Sequence, residues 1–413
     1  MTRTEDRLRQ AFTDGARTVR PETVRPLSLP KPRRRSSWAV PAMSAVAVAL
    51  SVALIVMITG RQQPHVAAGE GGPAFIVATT GFGQSPKGMS RIEVRDSTTM
   101  KVYDTKAASR GSTFQYVTAA QDNRTYFVME VPLRQTACNA LRIYRMHVAD
   151  TGRITSFDAL GTLIQGGTMR PEVMPGGLAV SPDGRKIAYA VIPCGTPADR
   201  LFYKIGVVDL RTGAQREWTD PQESVISSLS WTADDRKVAF VRREPTHEPD
   251  DGDHMLTKNG AVMLLDTDSN GSSLLSSRTL VRRSARLTNI WAATISRDGN
   301  TISVVGEYAP LNGAITLCEI AVADGRLLRT PYHETFDGQD MPPVPNSPGL
   351  VTLRIDPSGR HVLFYDSGES DPAAFGRIDD GRFRTLQEIN GDNGVSEPIE
   401  ADADAFDPND LAW

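Results

Sequence analysis

One stretch concentrates side chains that could do chemistry. Residues 246–256 read THEPDDGDHML and bring His247, Glu248, Asp250, Asp251, Asp253 and His254 together. Carboxylates suit hard cations and imidazoles suit transition metals. This makes a candidate site for a divalent metal or a cationic ligand, with His247, Asp250, Asp251, Asp253 and His254 as donors. The glycine and ligand order of an EF-type loop is not met, so a solvated acidic loop is the competing reading. A second acidic run, EADADAFDPND, adds Glu400, Asp402, Asp404 and Asp407.

Other routes to catalysis leave little trace. There is no GxSxG elbow and no HExxH pair. The six histidines are scattered: His65 and His247, His254 and His333 in linker or loop sequence, His147 and His361 in strand-like runs. The three cysteines, Cys138, Cys194 and Cys318, have no CxxC or metal-ligand spacing. The expectation is a non-enzyme with no cofactor, and a metal-dependent hydrolase or lyase on the acidic segments is the alternative.

Strands must position these residues. From about Ala74 onward the apolar runs are short and rich in β-branched and aromatic residues: FIVATT, TYFVMEV, KIAYAVI, YKIGVVDL, KVAFVRR, AVMLLDT, TISVVGE and HVLFYD. Between many of them one turn recurs. In AVSPDGRKIAYAV, Ser181 suits the first position of a type I turn, Pro182 presets the second, and Gly184 lets the chain re-enter a strand. The equivalent positions are Asn123, Gly184, Asp235, Gly299 and Gly359, spaced by 61, 51, 64 and 60 residues. A second turn follows in each unit, at Gly152, Gly213, Gly271, Gly325 and Gly381. Two hairpins per unit give four strands, and radial repetition of four-stranded sheets makes a β-propeller.

Five full units cover about 113–388, and 74–107 supplies only the second to fourth strands of a sixth. The final DPNDLAW matches the innermost-strand sequence VISSLSW, so Asp410–Trp413, through Leu411 and Trp413, is expected to fill the gap and close a six-bladed ring. A frayed terminus is the alternative. With strands labelled a to d from the axis outward, the b–c loops at 132–140, 192–201 and 243–260 are long and share one face with the d–a connections. The acidic segments fall on that face, which argues against nucleic acid as a partner. Cys138 and Cys194 lie in b–c loops of consecutive units, so a disulfide between them is expected, with Cys318 reduced and buried; three small core cysteines is the competing reading.

The N-terminal part differs in kind. Residues 1–37 hold ten Lys/Arg and four Asp/Glu, leaving 36 basic and 45 acidic residues for the rest. A short helix over 4–19 is followed by a proline- and arginine-rich linker. Ala39–Thr59 then runs 21 residues without a charge, long enough to span a bilayer of about 30 Å. Arginines on its N-terminal side place that side in the cytoplasm. A cleaved signal peptide or a buried helix is the alternative. The expected organisation is a basic cytoplasmic head (1–37), a transmembrane helix (38–60), a linker (61–73) and an extracytoplasmic propeller (74–413).

The SPDG-type turns and the hairpins after them resemble the repeats of TolB-like propellers, relatives of the WD-repeat group, although the Gly-His and Trp-Asp dipeptides of true WD repeats are absent. The segment RLRQAFTDGARTVRPETVRPL before a basic stretch and one anchor is similar to the N-termini of actinobacterial membrane proteins, some of which accompany sigma factors. These readings together imply a single-pass membrane protein whose propeller binds a protein, peptide or envelope component. The alternative is a regulator that holds a cytoplasmic sigma factor through its head.

Overall fold

The computed structural model describes residues 73–412 except 81–89, 98, 135, 168–176, 198–199, 246–256, 297, 309–314, 334–350, 357–360, 367–372, 380–381 and 390–407. The chain divides into two compact units, Met1–His65 and Val66–Trp413, and every described residue belongs to the second. The expected head and membrane span therefore lie outside the described residues. Among the described residues no helix is long and apolar enough to cross a membrane.

The strands come in meanders. The first sheet contains β1 (Phe75–Thr80), β2 (Arg91–Asp96) and β3 (Val102–Ala107). The second is β4 (Ser112–Ala119), β5 (Thr125–Pro132), β6 (Asn139–Val148) and β7 (Ile154–Gly166). The third is β8 (Gly177–Val180), β9 (Lys186–Val191), β10 (Lys204–Asp209) and β11 (Gln215–Thr219). The fourth is β12 (Val225–Trp231), β13 (Lys237–Pro245), β14 (Thr257–Asp266) and β15 (Arg278–Arg282). The fifth is β16 (Leu287–Ile295), β17 (Thr301–Tyr308), β18 (Ile315–Ala321) and β19 (Leu327–His333). The sixth is β20 (Val351–Ile355), β21 (His361–Asp366), β22 (Ala373–Asp379) and β23 (Arg382–Ile389). A last strand, β24 (Pro408–Ala412), returns to the first sheet and pairs with β1, giving the order β24-β1-β2-β3.

Each of the six sheets has four antiparallel strands. Their first strands touch in succession, β24 to β4, β8, β12, β16 and β20, and β20 touches β24 again. The sheets thus stand around an axis as blades, which is the propeller architecture. In the first blade β24 aligns Ala412 with Val77, Leu411 with Ala78 and Asp410 with Thr79, then shifts register before Pro408 meets Thr80. The strand starts two residues earlier than the sequence suggests. Proline has no N–H to give a ladder and is tolerated at a strand's first position. Trp413 lies outside the described residues.

The recurring turn has one construction. Gly184 N donates to Ser181 O at 2.8 Å, Asn123 N to Ala120 O at 3.1 Å, Asp235 N to Thr232 O at 3.1 Å and Gly299 N to Ser296 O at 2.9 Å. All four closing residues sit at positive φ, between 49° and 72°. Glycine, asparagine and aspartate are the residues that enter this region most readily. A side-chain clasp repeats as well. Ser181 Oγ donates to Asp183 Oδ1 (2.7 Å) and accepts from Lys186 N (2.9 Å). Thr232 and Asp234 do the same at 2.6 Å, and Ser296 and Asp298 at 2.6 Å. The second turn also holds at Gly152, Gly213 and Gly325, again at positive φ. It fails at Gly271, which lies outside the left-handed region; a 3-10 turn at Leu274–Ser276 leads into β15 instead.

The core lies between blades. Tyr116, Phe127 and Ile143 of the second blade pack on Leu178, Tyr189 and Val208 of the third. Trp231 and Phe240 of the fourth blade share a cluster with Ile205 and Trp218 of the third. Because both faces of the inner strands are covered, β9 (KIAYAV) is buried at every position except its first. The outermost β3 is mostly exposed.

Candidate functional site: an axial cavity and a long-loop face

The meander sends a–b and c–d turns to one end of the propeller and b–c loops to the other. At the turn end a cavity of about 480 Å³ sits on the axis. All six blades line it, through Ala412, Thr118, Ser181, Trp231, Ile295 and Asp356 among others. These residues lie at the turn-side ends of the innermost strands, in five of the blades where the strand runs into its turn.

Hydrogen bonds between blades hold this rim. Trp231 Nε1 donates to Ala179 O at 3.0 Å, and Ile295 N donates to Ser230 Oγ at 3.1 Å. Lys186 Nζ donates to Asp235 O at 2.8 Å and lies 5.8 Å from the Trp231 ring centroid. The cavity's charged groups are largely paired. Arg329 grips Glu319 through two bonds of 2.6 and 2.7 Å. Asp356 accepts His361 N at 2.9 Å and lies 3.1 Å from His361 Nδ1. The Ser296 hydroxyl, the Asn300 backbone and the Asn300 side chain hold the Asp298 carboxyl below the usual carboxylate range. Ser181 and Ser296 each give their hydroxyl proton to the aspartate of their own turn, so both brace the turns they begin. A rim of fixed hydroxyls, an indole and paired charges can bind a mixed polar and apolar surface.

The other end is less regular. Long b–c connections run over 133–138 and 192–203, and in the fourth blade β13 and β14 continue pairing through Glu244–Lys258 and Pro245–Thr257, further than the sequence suggests. Cys138 and Cys194 form a disulfide with their Cα atoms 4.6 Å apart, joining the loops of the second and third blades. Cys318 is free and buried in β18, and burial pushes its thiol up to about 11. Next to the disulfide-bonded loop, Arg200 pairs with Glu223 at 3.2 Å and Arg242 with Asp220 at 2.5 Å.

His247, Glu248, Asp250, Asp251, Asp253 and His254 lie outside the described residues, as do Glu400, Asp402, Asp404 and Asp407. Among the described residues no group of three or more His, Cys, Asp or Glu could hold a metal ion. His147 is exposed in β6, and His333 ends strand β19 rather than lying in a loop. Sequence reasoning looked first to the long-loop face and missed the turn-end cavity. Its signal was present in the repeat itself, since Val180, Trp231, Ile295 and Ile355 occupy equivalent places just before the turns.

The fold and site define a β-propeller of four-stranded antiparallel blades. No family model matches the chain, and no curated protein matches it in sequence. Among solved structures it is similar to TolB from Acinetobacter baumannii, at 16% identity and a TM-score of 0.47, over 75% of this chain and 62% of that one. It is also similar to a putative TolB from Agrobacterium tumefaciens (15%, TM-score 0.42, covering 70% and 85%). A further similarity is to an oligogalacturonate lyase in complex with manganese (12%, TM-score 0.39, covering 66% and 67%). The chain spans less than two thirds of the Acinetobacter protein, and these likenesses are of fold alone.

Proposed function

We propose that this chain is a single-pass membrane protein whose six-bladed extracytoplasmic propeller binds a protein, peptide or envelope component without catalysis. The axial cavity carries the reading. It is framed by all six blades, and its polar groups are already fixed for recognition. The uncharged run Ala39–Thr59 and the arginines before it support the anchor and its orientation. The Cys138–Cys194 bridge supports the compartment, because disulfides persist in oxidising surroundings.

The test uses the full chain in intact envelopes. A photo-crosslinking residue at Pro182, on the cavity rim, is compared with one at Ala140, at the long-loop end. The expected result is a discrete crosslinked product at Pro182 that is absent at Ala140. Crosslinking at neither position, or at Ala140 alone, would overturn the cavity as the binding surface. A reporter fused after Trp413 should be active only outside the cytoplasm; cytoplasmic activity would overturn the topology.

A further inference from the structure

One wall of the axial cavity differs from the others. In the fifth blade a single rung runs across the sheet, with Thr294 opposite Ser303, Ser303 opposite Glu319 and Glu319 opposite Arg329. Cross-strand partners share a face of the sheet. Two residues further along the same strands, Ala292, Val305 and Leu317 pack on Leu353 and Val362, so the rung faces the sixth blade. All four of its residues line the cavity. The equivalent rung is Ala179, Ala188, Val207 and Arg216 in the third blade. In the fourth it is Ser230, Ala239, Leu264 and Arg278. The two middle positions are apolar in both, yet the fifth blade places Ser303 and Glu319 there, only 5% and 8% exposed. The residue that covers the rung has changed as well. Trp231 shares a cluster with Ala179, Ala188 and Val207, whereas its counterpart in the sixth blade is the smaller Ile355.

The arginines show what the change does. Arg216 reaches the next blade and donates to Thr267 O at 2.8 Å. Arg329 turns back instead and gives Nε and Nη2 to Glu319. A buried ion pair is often no more stable than apolar residues of similar volume, and the third and fourth blades show that apolar residues fit such a rung. The Glu319–Arg329 pair is neutral as a whole, so it favours neither an anion nor a cation. What it still offers is lone pairs on the carboxylate and the Nη1 donor, with the Ser303 hydroxyl alongside. A carboxamide is a neutral group that matches this set: its NH2 donates to Glu319, and its carbonyl accepts from Ser303 or Arg329. We infer, given the cavity as the binding surface, that Ser303, Glu319 and Arg329 form an amide-recognising pocket in its wall between the fifth and sixth blades. Its occupant is a glutamine or asparagine side chain of a peptide. So little of Ser303 and Glu319 is open that one side chain suits this access better than a sugar ring.

The test is saturation-transfer NMR with the full chain in detergent micelles. The probes are tripeptides blocked at both ends that differ only in a central glutamine, glutamate or lysine, with N-acetylglucosamine as a parallel arm. The glutamine peptide should half-saturate at a concentration at least about tenfold lower than the glutamate and lysine peptides. Ser303→Ala, which supplies the residue found in the third and fourth blades, should raise that concentration about fivefold. Ser303→Ala combined with Glu319→Leu rebuilds the middle of the fourth blade's rung. This double variant should melt no lower than wild type and lose the preference for glutamine. Three results would overturn the pocket: a preference unchanged in either variant, no preference among the three peptides, or a stronger response to the sugar. A lower Tm or failure to fold in the double variant would also overturn it, by showing that the rung serves to hold the blades. The two readings fail separately. A crosslink at Pro182 without a preference for glutamine strikes the pocket alone, whereas no crosslink at Pro182 strikes the cavity and the pocket with it.

Discussion

The two ends of this propeller are built by different means. At the turn end, one residue at positive φ closes each of four described turns, and the same hydroxyl–carboxylate clasp recurs at Ser181–Asp183, Thr232–Asp234 and Ser296–Asp298. Among the described residues of the long-loop end no such clasp repeats. Order there comes from a covalent bridge between Cys138 and Cys194 and from ion pairs between segments distant in sequence. The turn end is specified locally and many times over, so it can carry a cavity that needs every blade in register. The loop end is specified once per contact, so it can vary from blade to blade.

The sharpest way to break this contrast is to open the ring, because β24 is the one turn-end element not supplied by its neighbour in sequence. Deleting 408–413 should expose β1 along its length and cost several kcal/mol, about as much as removing large buried side chains, or cause aggregation. An unchanged Tm in the shortened chain would show that the first blade stands without its inner strand. Next in size is the bridge. Changing Cys138 and Cys194 together to Ser should cost about 2–4 kcal/mol in chemical denaturation, and leave crosslinking at Pro182 intact if the ends are independent. A smaller effect is expected at one turn. Gly184 lies at φ +70° with nothing near its missing Cβ, so Gly184→Val should cost about 1–2 kcal/mol through backbone strain alone, whereas Gly184→Asn should cost less.

The smallest effect is acid dependence. The Thr232 hydroxyl lowers the Asp234 carboxyl and the Ser296 hydroxyl lowers that of Asp298. A carboxyl depressed in the folded chain contributes stability that is complete above its unfolded value near 3.8 and is lost as pH falls through its lower folded value. Tm should therefore hold down to about pH 4 and drop below it. The drop should be shallower in the Asp234→Asn, Asp298→Asn double variant; an identical profile would mean that the clasps carry no charge-dependent stability.

Much of the turn end was legible in the sequence because its determinants are local. Asn123 and Asp235 could be aligned with Gly184 and Gly299 because few residue types enter the left-handed region. The incomplete first unit and the late LAW segment pointed to ring closure, since a missing strand is visible as a gap in a repeat. The exception at Gly271 was not legible, because the 3-10 turn after it depends on how Leu274 buries itself between the blades. Nor was the cavity, which is a property of six strand ends meeting and of no single one.

The pairing of β24 with β1 also sets a schedule. Neighbouring strands elsewhere in the ring meet soon after they are synthesised, but β1 must wait for a partner that emerges after all five intact blades. Joining such distant segments carries the largest loop-closure entropy in the domain and raises its contact order. Until then β1 presents an open apolar edge, the kind that recruits foreign strands. The first blade is thus the first to leave the ribosome and the last to become whole, and folding of the ring ends where it began.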